Sequence, residues 1–533
     1  MLSASASGWK FVTEWEERLG DTLGDYLVYS EMITDSNGDY VAVGYADNVL
    51  GGFTGRIIKI APDGSVIWLY QLEDESFFTL GTDFGVLNSI VETDDGNYLV
   101  GGYIEDGVND GSIILKISDA GALIWVEYPV EPATIPWHEG GIKKILPLGN
   151  DQYICLGDSY GVVYKLEDLG TSTSIEWSYS KHENSLMAPA NFMQFSDVRE
   201  GADGSLYFIG QYWGQTYPTR TDEKALILKL DADGNYIDEY AYTLDTHWRG
   251  SFQEFVVSPN GKVFISGEYQ DTDVSHSTDF IYSHFVIEFD ETKALNASLS
   301  GFITLPRPEP SLGEYLVETD LSTSTYLVNS AGNIVRISSG SELNPPPYPA
   351  LPKQYVRISE FDPNFSVMIS DQYEEWAITR SVDNLVYGAV VTPDNGYVLM
   401  GIFEDGPSLY EDNNFRKVRV AYTVTFDVNG TLSYQLVAHG RMVARPTNPA
   451  VVGRTFVNWT LNGNQYDFNN AVTSDITLVA NLVSNPGTTT PGTNGSVVTP
   501  KTGVTVGFTT NVSLLIAGVG LLILGKWRKD DNN

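Results

Sequence analysis

The stretch NSIVETDDGNYLVGGY, residues 88–103, combines an apolar strand, an acidic glycine turn and a second strand that ends in Gly-Tyr. Residues 30–45, SEMITDSNGDYVAVGY, follow the same plan, and both stretches continue after a variable loop into a second hairpin. These second hairpins are RIIKIAPDGSVIWLYQL at 56–72 and SIILKISDAGALIWVEYP at 112–129. The sequence therefore predicts a repeated four-stranded antiparallel meander with a Trp near the start of its last strand.

The repeat has a period of about fifty residues, which is typical of a propeller blade. Further copies lie at 142–180, 196–244, 253–303 and 315–379, and a seventh begins at 386. SGWKFVTEW at 7–15 is similar to the Trp-bearing last strand, and we expect it to complete the seventh blade from the other end of the chain. The prediction is an all-β fold with a seven-bladed β-propeller of four-stranded antiparallel blades at 7–420. The blades resemble quinoprotein-like and delta-60-like propeller repeats, a resemblance that implies no particular activity.

Composition sets limits on the class of protein. The chain has 533 residues, 42% of them hydrophobic and 12% aromatic, which is enough for large packed cores. Its formal net charge of −38 argues against a nucleic-acid partner, because phosphates must be met by clustered Lys and Arg. The single cysteine, Cys155, lies in an apolar stretch and is predicted to be a buried structural thiol.

Residues 421–482 closely resemble the Listeria-Bacteroides repeat, also known as the internalin-type B repeat. The matching elements are VTFD at 424–427 with Asn429-Gly430, Pro446 and Pro449, Gly453 with Phe456 and Trp459, and YDFN at 466–469 with Thr477-Leu478. The resemblance implies a small β-grasp-like module of bacterial surface proteins at 421–483, used as a spacer or binding unit. The segment VTFDVNGTLSYQL also fits the third and fourth strands of a propeller blade, so the boundary stays open.

The C-terminal residues have the composition expected of a membrane anchor preceded by a linker. Residues 484–498, SNPGTTTPGTNGSVV, lack periodicity and are predicted to be a flexible, disordered linker. Residues 504–525 carry no charge and are long enough for a transmembrane helix, and Lys526-Trp527-Arg528-Lys529 follows as a basic tail. Because basic tails stay on the cytoplasmic side, the rest of the chain is predicted to lie outside the cell.

TPKTG, formed by Thr499, Pro500, Lys501, Thr502 and Gly503, stands before this apolar segment. With the span and the basic tail, 499–533 resembles the LPxTG cell-wall sorting signal of Gram-positive bacteria. The resemblance implies that sortase cuts between Thr502 and Gly503 and joins Thr502 to peptidoglycan. Thr499 replaces the usual Leu and weakens the apolar contact, so retention in the membrane by the helix is the alternative. MLSASASGWK has no signal peptide, and we expect the natural N-terminus to lie upstream.

A search for chemistry finds no catalytic signature. The six histidines form no HExxH pair, and the sequence has no GxSxG elbow, phosphate loop or dinucleotide fingerprint. Acidic turns such as Asp231-Ala232-Asp233-Gly234-Asn235 are interpreted as tight hairpins and not as calcium loops. The sequence thus predicts no catalytic residue, no cofactor and no metal.

The loops of the repeats are asymmetric. The first and third turns of each unit are short, whereas the remaining loops are long and contain aromatic and basic residues. Since binding residues are commonly carried on loops of a rigid scaffold, the long-loop face is predicted to bind an unknown extracellular glycan or protein. Each residue could instead simply pack its loop onto the ring. The candidate residues are Phe77, Phe78, Trp137, His138, His182, Trp213, His247, Trp248 and Arg249.

The leading hypothesis is a non-enzymatic, adhesin-like protein anchored to the cell wall. The alternative is an extracellular propeller enzyme, a hydrolase or lyase acting on carbohydrate, because glycosidase carboxylates need no sequence motif. A quinone-dependent dehydrogenase is disfavoured, since the repeats lack the Ala and Thr-Gly-Lys elements of that family. An axial cluster of carboxylates with His or Arg would favour the enzyme, and a shallow aromatic face would favour the binding protein.

Overall fold

The computed structural model describes most of the chain between residues 11 and 485. The described residues are 11–18, 27–47, 52–75, 78, 84–105, 110–129, 141–157, 161–180, 192–213, 224–242, 250–271, 281–292, 295, 303–305, 324–342, 353–376, 386–402 and 413–485.

Six separate four-stranded antiparallel sheets follow one another along the chain and form the blades of a propeller. Blade 1 contains β2 (Leu27–Thr34), β3 (Tyr40–Asp47), β4 (Phe53–Ile60) and β5 (Val66–Gln71), followed by a 3-10 turn at Leu72–Asp74. Blade 2 contains β6 (Phe84–Glu92), β7 (Tyr98–Glu105), β8 (Gly111–Ile117) and β9 (Leu123–Glu127). Blade 3 contains β10 (Ile142–Gly149), β11 (Gln152–Gly157), β12 (Val163–Asp168) and β13 (Thr173–Tyr179).

The next three blades have the same strand order. Blade 4 contains β14 (Phe192–Glu200), β15 (Leu206–Trp213), β16 (Lys224–Leu230) and β17 (Tyr236–Tyr242). Blade 5 contains β18 (Gly250–Val257), β19 (Val263–Asp271), β20 (Ile281–Glu288) and the short β21 (Ile303–Thr304). Blade 6 contains β22 (Ser324–Val328), β23 (Ile334–Glu342), β24 (Lys353–Phe361) and β25 (Met368–Trp376).

The predicted number of seven separate blades is wrong, because six stand as separate sheets. The strands expected to form the seventh are β26 (Val386–Val391), β27 (Tyr397–Ile402), β28 (Asn413–Val428) and β1 (Phe11–Arg18). They belong to one eight-stranded sheet together with the strands that follow. The physical reason is β28, which does not end near residue 420 but continues for 16 residues. Its first half pairs with β27 and β1, and its second half pairs elsewhere.

The second half of β28 organises the repeat domain. It pairs antiparallel with β29 (Thr431–Ala438) and parallel with β32 (Ile476–Ser484), which in turn pairs with β30 (Arg454–Leu461). The short β31 (Asn464–Gln465) pairs antiparallel with the end of β30. The segment VTFDVNGTLSYQL, which left the boundary open, therefore forms a hairpin of this sheet. Asn429 and Gly430 turn it with φ of 58° and 88°, the left-handed pair that two-residue hairpins favour.

Apolar residues fill the spaces between neighbouring sheets. One cluster joins Val41 and Ile57 of blade 1 to Leu87 and Tyr98 of blade 2, and equivalent clusters lie between each successive pair of blades. Another cluster joins blade 1 to the strands of the eight-stranded sheet, where the rings of Tyr29 and Phe415 lie 5.1 Å apart. Cys155 lies fully buried in β11, as predicted, and burial raises the pKa of its thiol.

Tryptophans of the outer strands connect neighbouring blades through hydrogen bonds and ring contacts. Trp68 of blade 1 donates its indole N–H to the carbonyl oxygen of Asp119 in blade 2 at 2.9 Å. Its ring lies against the turn glycine Gly121, where an added Cβ would be only 2.8 Å from the ring. The same contact recurs in two other places, from Trp177 to Ala232 and Gly234, and from Trp15 of β1 to Pro62 and Gly64.

The Trp-on-glycine contact predicts different effects for two similar substitutions. Gly121→Ala should lower the unfolding free energy by about 3 kcal/mol, since strain at φ +82° adds to a clash with Trp68. Gly96→Ala, at φ +75° with no atom within 4 Å of the added Cβ, should lose only about 1 kcal/mol. Denaturant unfolding of both variants measures the difference, and equal losses would contradict the contact.

The predicted sorting signal at 499–503, the transmembrane segment at 504–525 and most of the predicted linker lie outside the described residues. Within the part that is described, no helix has the length and apolar character needed to cross a membrane.

Candidate functional site

A polar cluster lies among the first strands of five blades. First strands of neighbouring blades contact one another, as β2 does with β6, whereas last strands such as β5 expose Val66, Ile67 and Leu69. The first strand is therefore innermost, next to the propeller axis. In blades 1 to 5 this strand has a β-bulge, and the residue after each bulge is polar. These residues, which we call the axial cluster, are Glu31, Ser89, Lys144, Asp197 and Glu254.

Members of the axial cluster hold neighbouring blades through backbone hydrogen bonds. Glu31 accepts the N–H of Ile90 at 2.8 Å and the hydroxyl of Ser89 at 2.6 Å. Ser89 in turn accepts the N–H of Ile145 in blade 3 at 3.0 Å. Each side chain thus bonds the residue that follows its counterpart in the next blade.

The same bond recurs on the other side of the ring. Asp197 accepts the N–H of Phe255 at 2.8 Å, and Glu254 accepts the N–H of Tyr326 in blade 6. Bulges make this possible because they turn a polar side chain sideways from an otherwise paired strand. The hydrogen bonds thereby satisfy backbone groups at the blade edges.

Lys144 is the cation of the axial cluster. Its Nζ lies 3.0 Å from Oδ1 of Asp197, and it also attracts Glu254 and Glu31. Although burial opposes the charged form, the three carboxylates raise the pKa of Lys144 above its ordinary value. Three carboxyl groups therefore share a single ammonium group.

The shortage of positive charge affects the carboxyl groups. The pKa of Glu254 is raised to about 8, chiefly by burial and also by the nearby Asp197 and Glu31, while Lys144 and the Tyr326 N–H act in the opposite direction. Burial also raises the pKa of Glu31, with Lys144, Ser89 and the Ile90 N–H acting in the opposite direction. At neutral pH, Glu254 thus holds a proton while the cluster keeps its cation.

Between blades 5 and 6 the polar region continues into the interior. Arg336 of β23 is fully buried, and its guanidinium donates to the hydroxyl oxygen of Ser324 at 3.0 and 3.2 Å. His284 of β20 is also buried, and burial together with the charge of Arg336 holds its pKa well below the ordinary value. A neutral imidazole beside a buried guanidinium follows from this arrangement.

Because its carboxyl groups accept backbone N–H groups of neighbouring blades, the axial cluster primarily stabilises the fold. Asp197→Ala should destabilise the fold by about 3 kcal/mol, since Lys144 and the N–H of Phe255 lose their acceptor. Asp233→Ala, in an exposed turn of blade 4, should change stability by less than about 0.5 kcal/mol. Chemical denaturation compares the two variants, and similar effects would contradict the assignment.

The structure describes only part of the predicted ligand face. Phe78 is 6% exposed and packs in the hydrophobic cluster between blades 1 and 2, so its ring is not available to a ligand. Trp213 ends β15, where its backbone pairs with Phe192. The other candidates lie outside the described residues, namely Phe77, Trp137, His138, His182, His247, Trp248 and Arg249.

Sequence reasoning missed the axial cluster. The signal was present at one position of the repeat, where SEMI, NSIV, KKIL, SDVR and QEFV each place two polar residues before an apolar residue. Without the bulge, those residues look like the solvent-facing side of an ordinary strand. As for metals, the described ranges contain no group of three or more His, Cys, Asp or Glu placed to hold an ion.

Comparison with known proteins identifies one segment. Residues 422–481 match the Listeria-Bacteroides repeat domain family, which confirms the predicted resemblance for this part of the chain. No curated protein matches the chain significantly.

Several solved structures are similar to this chain at low scores. A protein of unknown function from Dyadobacter fermentans has 10% identity and a TM-score of 0.39, covering 77% of this chain and 99% of its own. The α-L-arabinofuranosidase Arb93A from Fusarium graminearum has 11% identity and a TM-score of 0.38, covering 62% and 92%. The WD40 domain of SCAP from fission yeast has 10% identity and a TM-score of 0.34, covering 77% and 97%. Similarities at these scores do not identify a function.

Proposed function

We propose that this chain is a non-enzymatic surface protein whose propeller binds an extracellular glycan or protein while the repeat domain holds it away from the cell. The observation that carries the proposal is the continuity of β28, whose 16 residues belong to the propeller side and to the repeat domain alike. At about 3.3 Å per residue this strand is roughly 50 Å long. A shared strand gives a stiff connection, which suits a module that presents another.

Side chains reinforce the junction. The N–H of His439 donates to the carbonyl oxygen of Val420 at 2.7 Å, at the point where β28 passes between the two parts. Arg441 of the repeat domain lies 3.3 Å from Glu14 of β1. The N-terminal strand thus touches both the propeller and the repeat domain, and bending at residue 420 would break these contacts.

We further propose that β26, β27, the first half of β28 and β1 close the ring between blades 6 and 1. Support comes from the contact of Tyr29 with Phe415 and from Trp15, which reaches Pro62 of blade 1 as Trp68 reaches Asp119 of blade 2. Closing a ring with strands from both ends of the chain joins its termini non-covalently. A closed ring is the rigid scaffold that a loop-borne binding site needs.

Attachment to the cell wall rests on the sequence. Sortase would join Thr502 to peptidoglycan after 504–525 has held the exported chain in the membrane, and residues 486–498 would act as a flexible stalk. The protein would then be extracellular, with its long-loop face directed outward. Retention of the C-terminal helix in the membrane would give the same orientation.

Ligand binding can be tested with the chain lacking residues 499–533. Glycan and extracellular-protein arrays should reveal a ligand, and replacing His247, Trp248 and Arg249 together by Ala should weaken its binding by about tenfold or more. Thermal unfolding of the triple variant should match wild type. Turnover of a polysaccharide without retained binding would contradict a non-enzymatic role.

One observation favours the alternative, an extracellular enzyme acting on carbohydrate. Glu254, with a pKa of about 8, lies in the same cluster as Asp197. Glycosidases use such a pair for catalysis, with one carboxyl group protonated near neutral pH and a second carboxyl group nearby. Both groups, however, accept N–H bonds from neighbouring blades. If polysaccharide turnover were found and Glu254→Gln abolished it without loss of fold, the enzyme would replace the binding protein.

A further inference from the structure

The strand β29 forms an open edge of the repeat domain. Its partner is β28, and no other strand in the described ranges pairs with it. Such an edge presents backbone N–H and C=O groups that another strand can bind.

The outer face of β29 is apolar and exposed. Leu432, Tyr434 and Leu436 alternate along the strand with relative exposures of 49%, 63% and 50%, whereas Val437 faces the core at 7%. On the same face of the neighbouring strand β28, these three residues lie opposite Thr423, Thr425 and Asp427, so the apolar row belongs to the edge strand alone. An exposed apolar row on an edge strand is a place where another strand can pair.

The hairpin turn determines which backbone groups of β29 point outward. Val428 and Thr431 flank the two-residue turn and exchange hydrogen bonds, so every second residue from Thr431 bonds to β28. The intervening residues direct their N–H and C=O groups away from β28. These are the same three residues, Leu432, Tyr434 and Leu436, whose side chains form the exposed row.

Charge singles out this edge from the rest of the molecule. The chain has a net charge of −38, so two copies repel each other over most of their surfaces. The sequence of β29, TLSYQLVA, contains no charged residue, and it lacks the Lys or Glu with which edge strands usually prevent pairing. The adjacent Asp427 is engaged one strand inward, where it accepts the N–H of Gly430 at 2.7 Å.

We propose that β29 pairs antiparallel with β29 of a second copy of this chain, centred on Tyr434. In this register Tyr434 lies opposite the partner's Tyr434, and Leu432 lies opposite the partner's Leu436. Side chains directly opposite each other share a face, so the two apolar rows become one. Registers centred between two residues would instead place this row opposite side chains of the other face of the strand. The result is a two-fold symmetric dimer with a sheet that continues across both repeat domains.

Cysteine crosslinking tests the register. Tyr434→Cys places two sulfhydryl groups across the two-fold axis, where directly paired Cα atoms lie about 5.5 Å apart and within disulfide range. The native Cys155 has no exposed surface and does not interfere. The full chain in mild detergent should form a disulfide-linked dimer under mild oxidation. Val452→Cys, at a fully exposed position of the same domain, serves as the control and should crosslink at least tenfold more slowly.

Sedimentation of the full chain tests the association itself. Wild type should be dimeric at micromolar concentration, and Tyr434→Lys should raise the dimer dissociation constant by about tenfold or more, because like charges would meet at the centre. Val452→Lys should leave it unchanged. A monomeric wild type, a dimer insensitive to Tyr434→Lys, or equal crosslinking of both cysteine variants would overturn the proposal.

Discussion

A chain that lacks residues 1–18 is expected to be less stable than wild type by at least about 5 kcal/mol, or to fail to fold. Deletion of β1 removes Glu14, whose Oε1 lies 2.9 Å from Nε of Arg419, and Glu16, whose Oε2 lies 3.2 Å from Arg416. Both arginines are less than one-tenth exposed and would keep their charge. The deletion also opens one edge of β28 and removes the Trp15 contact with blade 1.

The matched control is a chain that lacks only residues 1–10 and therefore keeps β1. It should unfold close to the wild-type temperature, while the longer deletion should recover stability when a synthetic peptide of residues 7–20 is added. Circular dichroism and calorimetry measure both effects. Equal stability of the two deletions would show that β1 does not close the ring.

The second large effect is a loss of stability as pH rises from about 5.5 to 9. Glu254 has a folded pKa of about 8 against an ordinary value of 4.5, so the folded state binds its proton more tightly than the unfolded state. Stability from this group is complete below the unfolded value and disappears as pH rises through about 8. Glu31, whose pKa is also raised, contributes in the same direction. Together they should cost on the order of 3 kcal/mol over this window.

One buried histidine acts in the opposite direction at the lower end of this window. Because the pKa of His284 is held well below its ordinary value of 6.5, stability from its neutral form increases as pH rises towards about 7 and is constant above it. The acids with lowered pKa values do not interfere. Glu14, Asp35 and Asp95 have lowered pKa values and are fully ionised above pH 5.5, so their contribution is constant there. Glu254→Gln should flatten the stability profile, because an amide keeps an acceptor for the Tyr326 N–H and never ionises. Glu127→Gln, on the outer strand β9, should leave the profile unchanged. A wild-type profile that rises with pH above about 7, or a Glu254→Gln variant that loses as much stability as wild type, would contradict the axial electrostatics.

The blades were predictable because their signals are local. The predicted unit at 196–244 corresponds to β14 through β17, which occupy 192–242, since Asp-Gly turns and alternating apolar residues fix each hairpin. The repeat domain was predictable from its spaced aromatic and glycine positions, among which Trp459 is 2% exposed and packs at 5.0 Å from Phe426.

What could not be predicted depends on contacts between distant strands. The four-strand pattern of a blade does not indicate that β28 continues past residue 420, because the residues after 420 fit either a blade strand or a strand of the repeat domain. Glu254 in QEFV looks like a surface residue until the β-bulge and the neighbouring blade place it beside Lys144. Phe78 shows that an aromatic residue in a predicted loop can be buried in the core.

Covalent attachment to the cell wall tests the central claim most directly. The chain should be produced behind a host signal peptide in a Gram-positive bacterium with sortase and in an isogenic strain without it. The account predicts that muramidase releases the protein joined to peptidoglycan fragments only from the sortase-positive strain, and that Thr502→Ala abolishes this. Recovery of the whole protein in the detergent-soluble membrane fraction of both strains, or inside the cells, would contradict it.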